Sequence, residues 1–113
     1  MLNLPAEVRE HLPPLGQQQH LVDPWVYARF SIPDSPKAWY VTEGASEEND
    51  FRFFGYIVQD DRAGKWGYFK LSSLQTGTLG HLVQFDSNFT PGRFIDVAIA
   101  PWYDELQRRE ENG

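Results

Sequence analysis

The side chains able to do chemistry are few, and their spacing argues against most reactions. Four carboxylates, Glu43, Glu47, Glu48 and Asp50, crowd one stretch of the chain. Paired carboxylates perform general acid and base work when burial drives their pKa values apart. The segment Gly44 to Asp50 reads instead as a solvated acidic loop, where that condition fails. Glu43 is the best placed of the four, at a strand end beside Trp39 and Tyr40. The three histidines, His11, His20 and His81, are scattered, with no H-x-H, H-E-x-x-H or Asp-rich calcium spacing, so no metal site is expected. The absence of cysteine removes disulfides, thiolate metal sites and thiol nucleophiles. Ser72-Ser73 and Ser87 lie outside any G-x-S-x-G elbow, and Gly77-Thr78-Leu79-Gly80 lacks the lysine of a phosphate-binding loop. No catalytic residue and no cofactor is assigned on these grounds.

A sharper candidate is an aromatic and basic set: Tyr27, Arg29, Arg52, Phe54, Tyr56, Tyr68 and Lys70. Alternate positions on neighbouring strands place several of these on one face. Trp39, Tyr40 and Glu43 adjoin the set and complete the candidate binding face. Aromatic platforms interleaved with Arg or Lys stack the bases of single strands. The same residues also pack small cores and anchor protein partners. Sixteen acidic against ten basic side chains, a net charge of −6, disfavour unaided attraction to phosphate backbones.

The elements that must position this face follow from period and turn chemistry. Leu4, Val8 and Leu12 recur four apart around Pro5, which predicts a short amphipathic helix over Pro5 to Leu12, ended by Pro13-Pro14. Gly16 to His20, with three glutamines, reads as a polar connector. In Trp25 to Ile32, Val26, Ala28, Phe30 and Ile32 form one apolar face with period two. Pro33-Asp34-Ser35-Pro36 supplies a tight turn into an antiparallel strand, Lys37 to Glu43. Phe51 to Gln59 is apolar on both faces and is expected near the centre of the sheet. Further strands are expected at Trp66 to Leu71 and Leu82 to Phe85, with a brief helical turn between them that Ser72 or Ser73 caps and Gly77 ends. Arg93 to Ala100 fits helix and strand equally, and Pro101 suits the opening of a final helix in which Asp104 pairs with Arg108 and Glu105 with Arg109. The fold class expected is α+β: a mostly antiparallel meander of four or five strands with a short helix at each end.

Several blocks together, in order and spacing, carry a resemblance. They are Leu12-Pro13-Pro14-Leu15, Asp23-Pro24, Trp39-Tyr40-Val41-Thr42-Glu43-Gly44, Phe53-Phe54-Gly55-Tyr56 and Trp66-Gly67-Tyr68-Phe69-Lys70-Leu71-Ser72-Ser73-Leu74. The chain resembles domain of unknown function family 2958 over roughly residues 4 to 97. The resemblance implies a small stand-alone bacterial protein of a kind often found on plasmids and other mobile elements, with no catalytic residue to carry over. The sequence departs from that pattern at Gln84 and Phe85, where the family tends to show a charged Glu-Arg pair before the aspartate matched by Asp86. Residues 98–113 lie beyond the resemblance.

The length, 113 residues, suits one domain. No basic segment followed by an apolar run opens the chain and no stretch reaches membrane-span length, so a cytoplasmic protein without membrane contact is expected. Lack of catalytic constellations together with an aromatic share of 15% favours a non-enzymatic binding or accessory protein acting through a protein partner or self-association. Nucleic-acid or nucleotide binding through the aromatic and basic face is the alternative. An enzyme built on Glu43 is the weaker one.

Overall fold

Pro33 and Pro36 bracket the turn around which the sheet is built. Ile32 N–H donates to Lys37 O at 3.1 Å, and Asp34 takes a left-handed φ of 62°, which aspartate tolerates. The computed structural model, which describes residues 3–77 and 80–112, places β2 (Ala28–Ser31) antiparallel to β3 (Ala38–Glu47) across this turn. Thr78 and Leu79 of the Gly77 to Gly80 segment lie outside the described residues. A second hairpin joins β3 to β4 (Asp50–Val58), and β5 (Lys65–Lys70) follows in unbroken antiparallel register. The short β6 (Gln84–Phe85) completes the order β5-β4-β3-β2-β6 on the outer side of β2. The fold is α+β, with a mostly antiparallel sheet and helices near both ends.

Two expectations about the strands are corrected. Gly44 to Asp50 is not a loop: the strands continue to Glu47 and resume at Asp50, leaving Glu48 and Asn49 as a two-residue turn with Glu48 at φ 55°. Nor does Trp25 to Ile32 form one strand. β1 (Trp25–Val26) pairs with β7 (Gly92–Arg93) in a separate two-stranded ribbon, and the chain changes partner at Tyr27, whose N–H donates to Val41 O. Val26 and Phe30 are both buried as the period predicted, but they serve different cores.

Those cores lie on opposite faces of the sheet. One gathers Ala28, Phe30, Val41, Phe51 and Phe53 beneath Val8 of α1 (Ala6–His11), the flanking Leu4 and Leu12, and Leu74 of α2 (Leu71–Thr76). The α2 start carries no side-chain cap; Ser72 N–H donates instead to Asp50 Oδ1 at 3.1 Å, while Gly77 closes the helix onto Ser73 O. The other core sets Ala38, Tyr40 and Tyr56 against Phe94 and Ala98. The stretch that fitted both helix and strand is helical after Arg93, which belongs to β7: Ile95–Ile99 forms a π turn that runs into α3 (Ala100–Asn112). Within α3, Arg109 pairs with Glu105 at 3.6 Å as expected, whereas Arg108 reaches Glu105 at 3.4 Å. No helix among the described residues is long and apolar enough to cross a membrane.

Candidate functional site

A β-bulge in the middle of β3 decides which residues meet. Between Val41 and Glu43 the register with β4 shifts by one residue, so Thr42 has no cross-strand partner and sends its Oγ1–H to Phe54 O at 3.0 Å. Glu43 then stands opposite Phe54, on the face that carries Tyr40 and Tyr56. Directly opposed residues of an antiparallel pair share a face, which puts Phe54 beside Tyr68 and Tyr56 beside Trp66. The rings confirm it. Phe54 and Trp66 stack at 5.9 Å and 8°, Phe54 meets Tyr68 edge-on at 5.0 Å, and Tyr56 meets Trp66 at 5.3 Å. The ladder continues through Tyr40, 6.4 Å from Tyr56.

Cations flank the ladder at both ends. The Arg52 guanidinium lies over the Tyr68 ring at 5.4 Å, and that of Arg29 over Tyr40 at 5.3 Å. Burial opposes the charge on Arg29, but Tyr40 and Asp86 outweigh it and hold its pKa above the ordinary value. Asp86 pairs with Arg29 and accepts the Ser31 hydroxyl at 2.8 Å. At the other end Glu47 receives Lys70 at 2.8 Å and Arg52 at 3.5 Å. The Lys70 ammonium, hydrogen-bonded to it, holds the Glu47 carboxyl below the usual carboxylate range. Arg52 Nε is screened from water and meets Glu47 as an ion pair without a hydrogen bond.

Of the predicted candidate residues, the structure brings Arg29, Tyr40, Arg52, Phe54, Tyr56, Tyr68 and Lys70 onto one face. Tyr40 and Tyr56 are buried there under Phe94 and its neighbours, at 8% and 7% exposure, while Tyr68 is 52% exposed. Tyr27 sits half-buried at the junction of β1 and β2, outside the ring ladder. Trp39 is displaced from the set: odd and even positions of β3 before the bulge point oppositely, and its indole packs on the opposite core with Phe30 and Phe53.

Glu43 shares the face but not its surface. It is fully buried, and both carboxyl oxygens are occupied. Gly16 N–H donates to Oε1 at 2.7 Å, Gln19 Nε2 to the same oxygen at 3.0 Å, and Gln18 N–H to Oε2. The glutamine connector is therefore a latched loop. Gly16 allows its turn with a φ of 94°, and Gln18 clamps it further by donating to Thr42 O at 2.8 Å and accepting from Trp25 N–H at 2.9 Å. Gln19 Nε2 also reaches the Tyr68 hydroxyl at 3.0 Å. A group so enclosed cannot touch a substrate.

Two hollows border this face. One, about 240 Å³, lies between the Phe54–Trp66 stack and the latched loop, walled by Gln18, Gln19, Leu21, Pro24 and Thr42. The other, about 260 Å³, lies between Tyr40, Tyr56 and α3. It is spanned by contacts that belong to folding, since Trp102 Nε1 donates to Asp61 O at 3.1 Å and Arg109 reaches Asp61 at 3.4 Å. Its charged lining, Arg29, Arg62 and Arg109 against Asp60, Asp61 and Glu105, is balanced. Among the described residues, no three His, Asp or Glu side chains cluster as metal ligands would. Trp66 and the loop residues Gln18 to Pro24 are the parts of the face that the periodicity did not single out. Their signal was present, as an aromatic on the same strand parity as Tyr68 and a glutamine cluster within reach of a strand-end glutamate. No family profile, curated protein or solved structure matches the chain.

Proposed function

We propose that this domain is a non-enzymatic binding module that engages a protein partner through the β4–β5 aromatic face. One observation carries the proposal: Trp66 and Tyr68 remain 41% and 52% exposed although they belong to a continuous ring ladder whose inner members are buried. Leu21, 46% exposed, adds apolar surface at the rim of the same hollow. Exposed aromatics beside a small apolar hollow, rimmed by glutamine amides, have the composition of interface anchors. The resemblance to family 2958 extends the proposal to an accessory protein of a mobile element, contacting a protein of the host or of the element. The occupation of both Glu43 oxygens by N–H donors weighs against the enzymatic alternative.

Nucleic-acid binding is favoured by one specific feature, the guanidinium of Arg52 lying over an exposed tyrosine. Against it, Arg52 and Lys70 share Glu47, and the chain as a whole carries a net charge of −6. Titration with labelled single-stranded DNA and RNA at low and high salt separates the two. No salt-sensitive binding at micromolar protein is expected. Tight binding that salt and Arg52→Ala both abolish would replace the protein partner with a nucleic acid.

A further inference from the structure

The outer side of β5 bears on what the partner presents. β5 lies at the end of the sheet order, hydrogen-bonded to β4 on one side and, among the described residues, to no strand on the other. Alternate backbone N–H and C=O groups of an edge strand point outward and are available to another chain. The opposite edge, β6, is only two residues long.

Gly67 occupies the middle of β5. Glycine inside a strand weakens it and has a reason when it marks a bulge, a bend or the close approach of another backbone. The register from Arg52↔Lys70 to Ile57↔Lys65 is unbroken, which excludes a bulge. Internal crowding does not require glycine either, because a Cβ there would meet only Ile57 Cδ1, at an ordinary 3.5 Å. The contrast is its cross-strand neighbour Gly55, whose Cβ would fall 1.8 Å from Tyr40 O. Open approach from outside remains as a role for Gly67.

Charge says what could approach. β5 contains Lys65 and Lys70 and no acidic residue. Lys65 has no ion-pair partner among the described residues, whereas at the other end Arg52 and Lys70 pair with Glu47 and Lys70 also acts on nearby Asp50. The Lys65 end of this edge is therefore the positive one on a molecule of net charge −6, the Lys70 end being balanced. Resting on the binding-module reading above, we infer that β5 accepts an extended acidic segment of the partner by strand addition. Apolar side chains at alternate positions of the added strand lie beside Trp66 and Tyr68, and the acidic residues between them, on the other face, meet Lys65. A second copy offering its own β5 brings lysines and no acidic residue, and lacks that complementarity.

The probe is a set of peptides selected against the folded chain from a displayed library of short random sequences. Acidic residues alternating with apolar ones are expected among the selected peptides. Binding is expected to slow hydrogen exchange at the outward amides of Lys65–Lys70, which β4 does not protect. Lys65→Glu is expected to weaken binding about fivefold at low salt and less at high salt. Peptides that depend on Trp66 but leave β5 exchange unchanged would overturn strand addition while leaving the aromatic face as a binding site. Peptides that protect β5 yet are neutral or basic, and indifferent to Lys65→Glu, would overturn the acidic assignment. Protection of β5 that rises with protein concentration alone would make the occupant a second copy. No selected peptides, or peptides indifferent to Trp66→Ala and Tyr68→Ala, would remove the binding face itself.

Discussion

The two faces of the sheet use the same residue types to opposite ends. On the face under α1 and α2, Phe30, Phe51, Phe53 and Phe69 form a closed cluster with ring centroids 5.1 to 5.7 Å apart, and Phe30 and Phe53 are fully buried. On the other face the aromatics are tyrosines and a tryptophan as well as Phe54, and burial falls from Tyr40 and Tyr56 to Trp66 and Tyr68 along the ladder. Phenylalanine has no polar atom to satisfy and suits a sealed core; tyrosine and tryptophan keep a polar edge that tolerates water. The second face is covered by Phe94 and Ala98 at one end and by the loop latched on Glu43 in the middle, and is flanked by Arg52, Lys70 and Glu47 at the other. The gradient separates aromatics that hold the fold from aromatics available to a partner.

The contrast breaks if the closed face proves dispensable. Phe53→Ala removes a ring that touches Phe30, Phe51 and Phe69 and should cost about 3–5 kcal/mol in denaturant unfolding. A variant as stable as the parent would mean that the sealed cluster contributes little. Next in size is the latch. Glu43→Gln turns an NH2 group toward backbone donors, leaving at least one of the Gly16 and Gln18 amides unsatisfied, at a cost of about 2–3 kcal/mol. Hydrogen exchange at those two amides should accelerate beyond what the change in global stability accounts for. If they remain protected, the loop is held by Gln18 and its neighbours alone.

On the open face the expected stability effects are smaller and the binding effects larger. Trp66→Ala should cost about 1–2 kcal/mol, since much of its indole is already in water, and Tyr68→Ala less. A loss as large as that of Phe53→Ala would place Trp66 with the core rather than with the surface. The smallest effect sharpens the electrostatic end of the comparison. Lys70→Met removes the hydrogen bond that depresses Glu47, so the Glu47 midpoint followed by NMR should rise toward the ordinary carboxylate value. A carboxyl depressed in the folded state binds fewer protons there than in the unfolded chain. Its stabilisation is present at neutral pH and disappears as pH falls through the folded midpoint. Asp50, depressed by its hydrogen bond from Ser72, should behave alike, and Ser72→Ala should raise its midpoint. An unmoved midpoint in either variant would show the pairing to be absent in solution.

How much of this could be read in advance varies with the range of the interaction that decides it. The hairpin across Pro33–Pro36 was legible because a short turn leaves no other pairing, and so was the burial of Val26, Ala28, Phe30 and Ile32, because alternation is a local property. Grouping Arg29, Phe54, Tyr56 and Tyr68 on one face also followed from parity, since no bulge interrupts β4 or β5. Trp39 and Glu43 escaped that logic. A strand-end glutamate beside Trp39 and Tyr40 looks like one surface cluster in one dimension, but alternation sends Trp39 to the opposite core and the bulge at Thr42 returns Glu43 to the Tyr40 face.

From the sequence alone came the α+β class, the Pro33–Pro36 turn, the apolar periods and the inventory that leaves no recognised catalytic motif. These rest on interactions between residues close in the chain. Only the tertiary structure decided that Glu43 is sealed by Gly16, Gln18 and Gln19, that Val26 and Phe30 serve different cores, and that Trp66 and Tyr68 stay exposed at the sheet edge. Each of those depends on a partner more than twenty residues away, or on its absence, and no local period encodes where such a partner will fall.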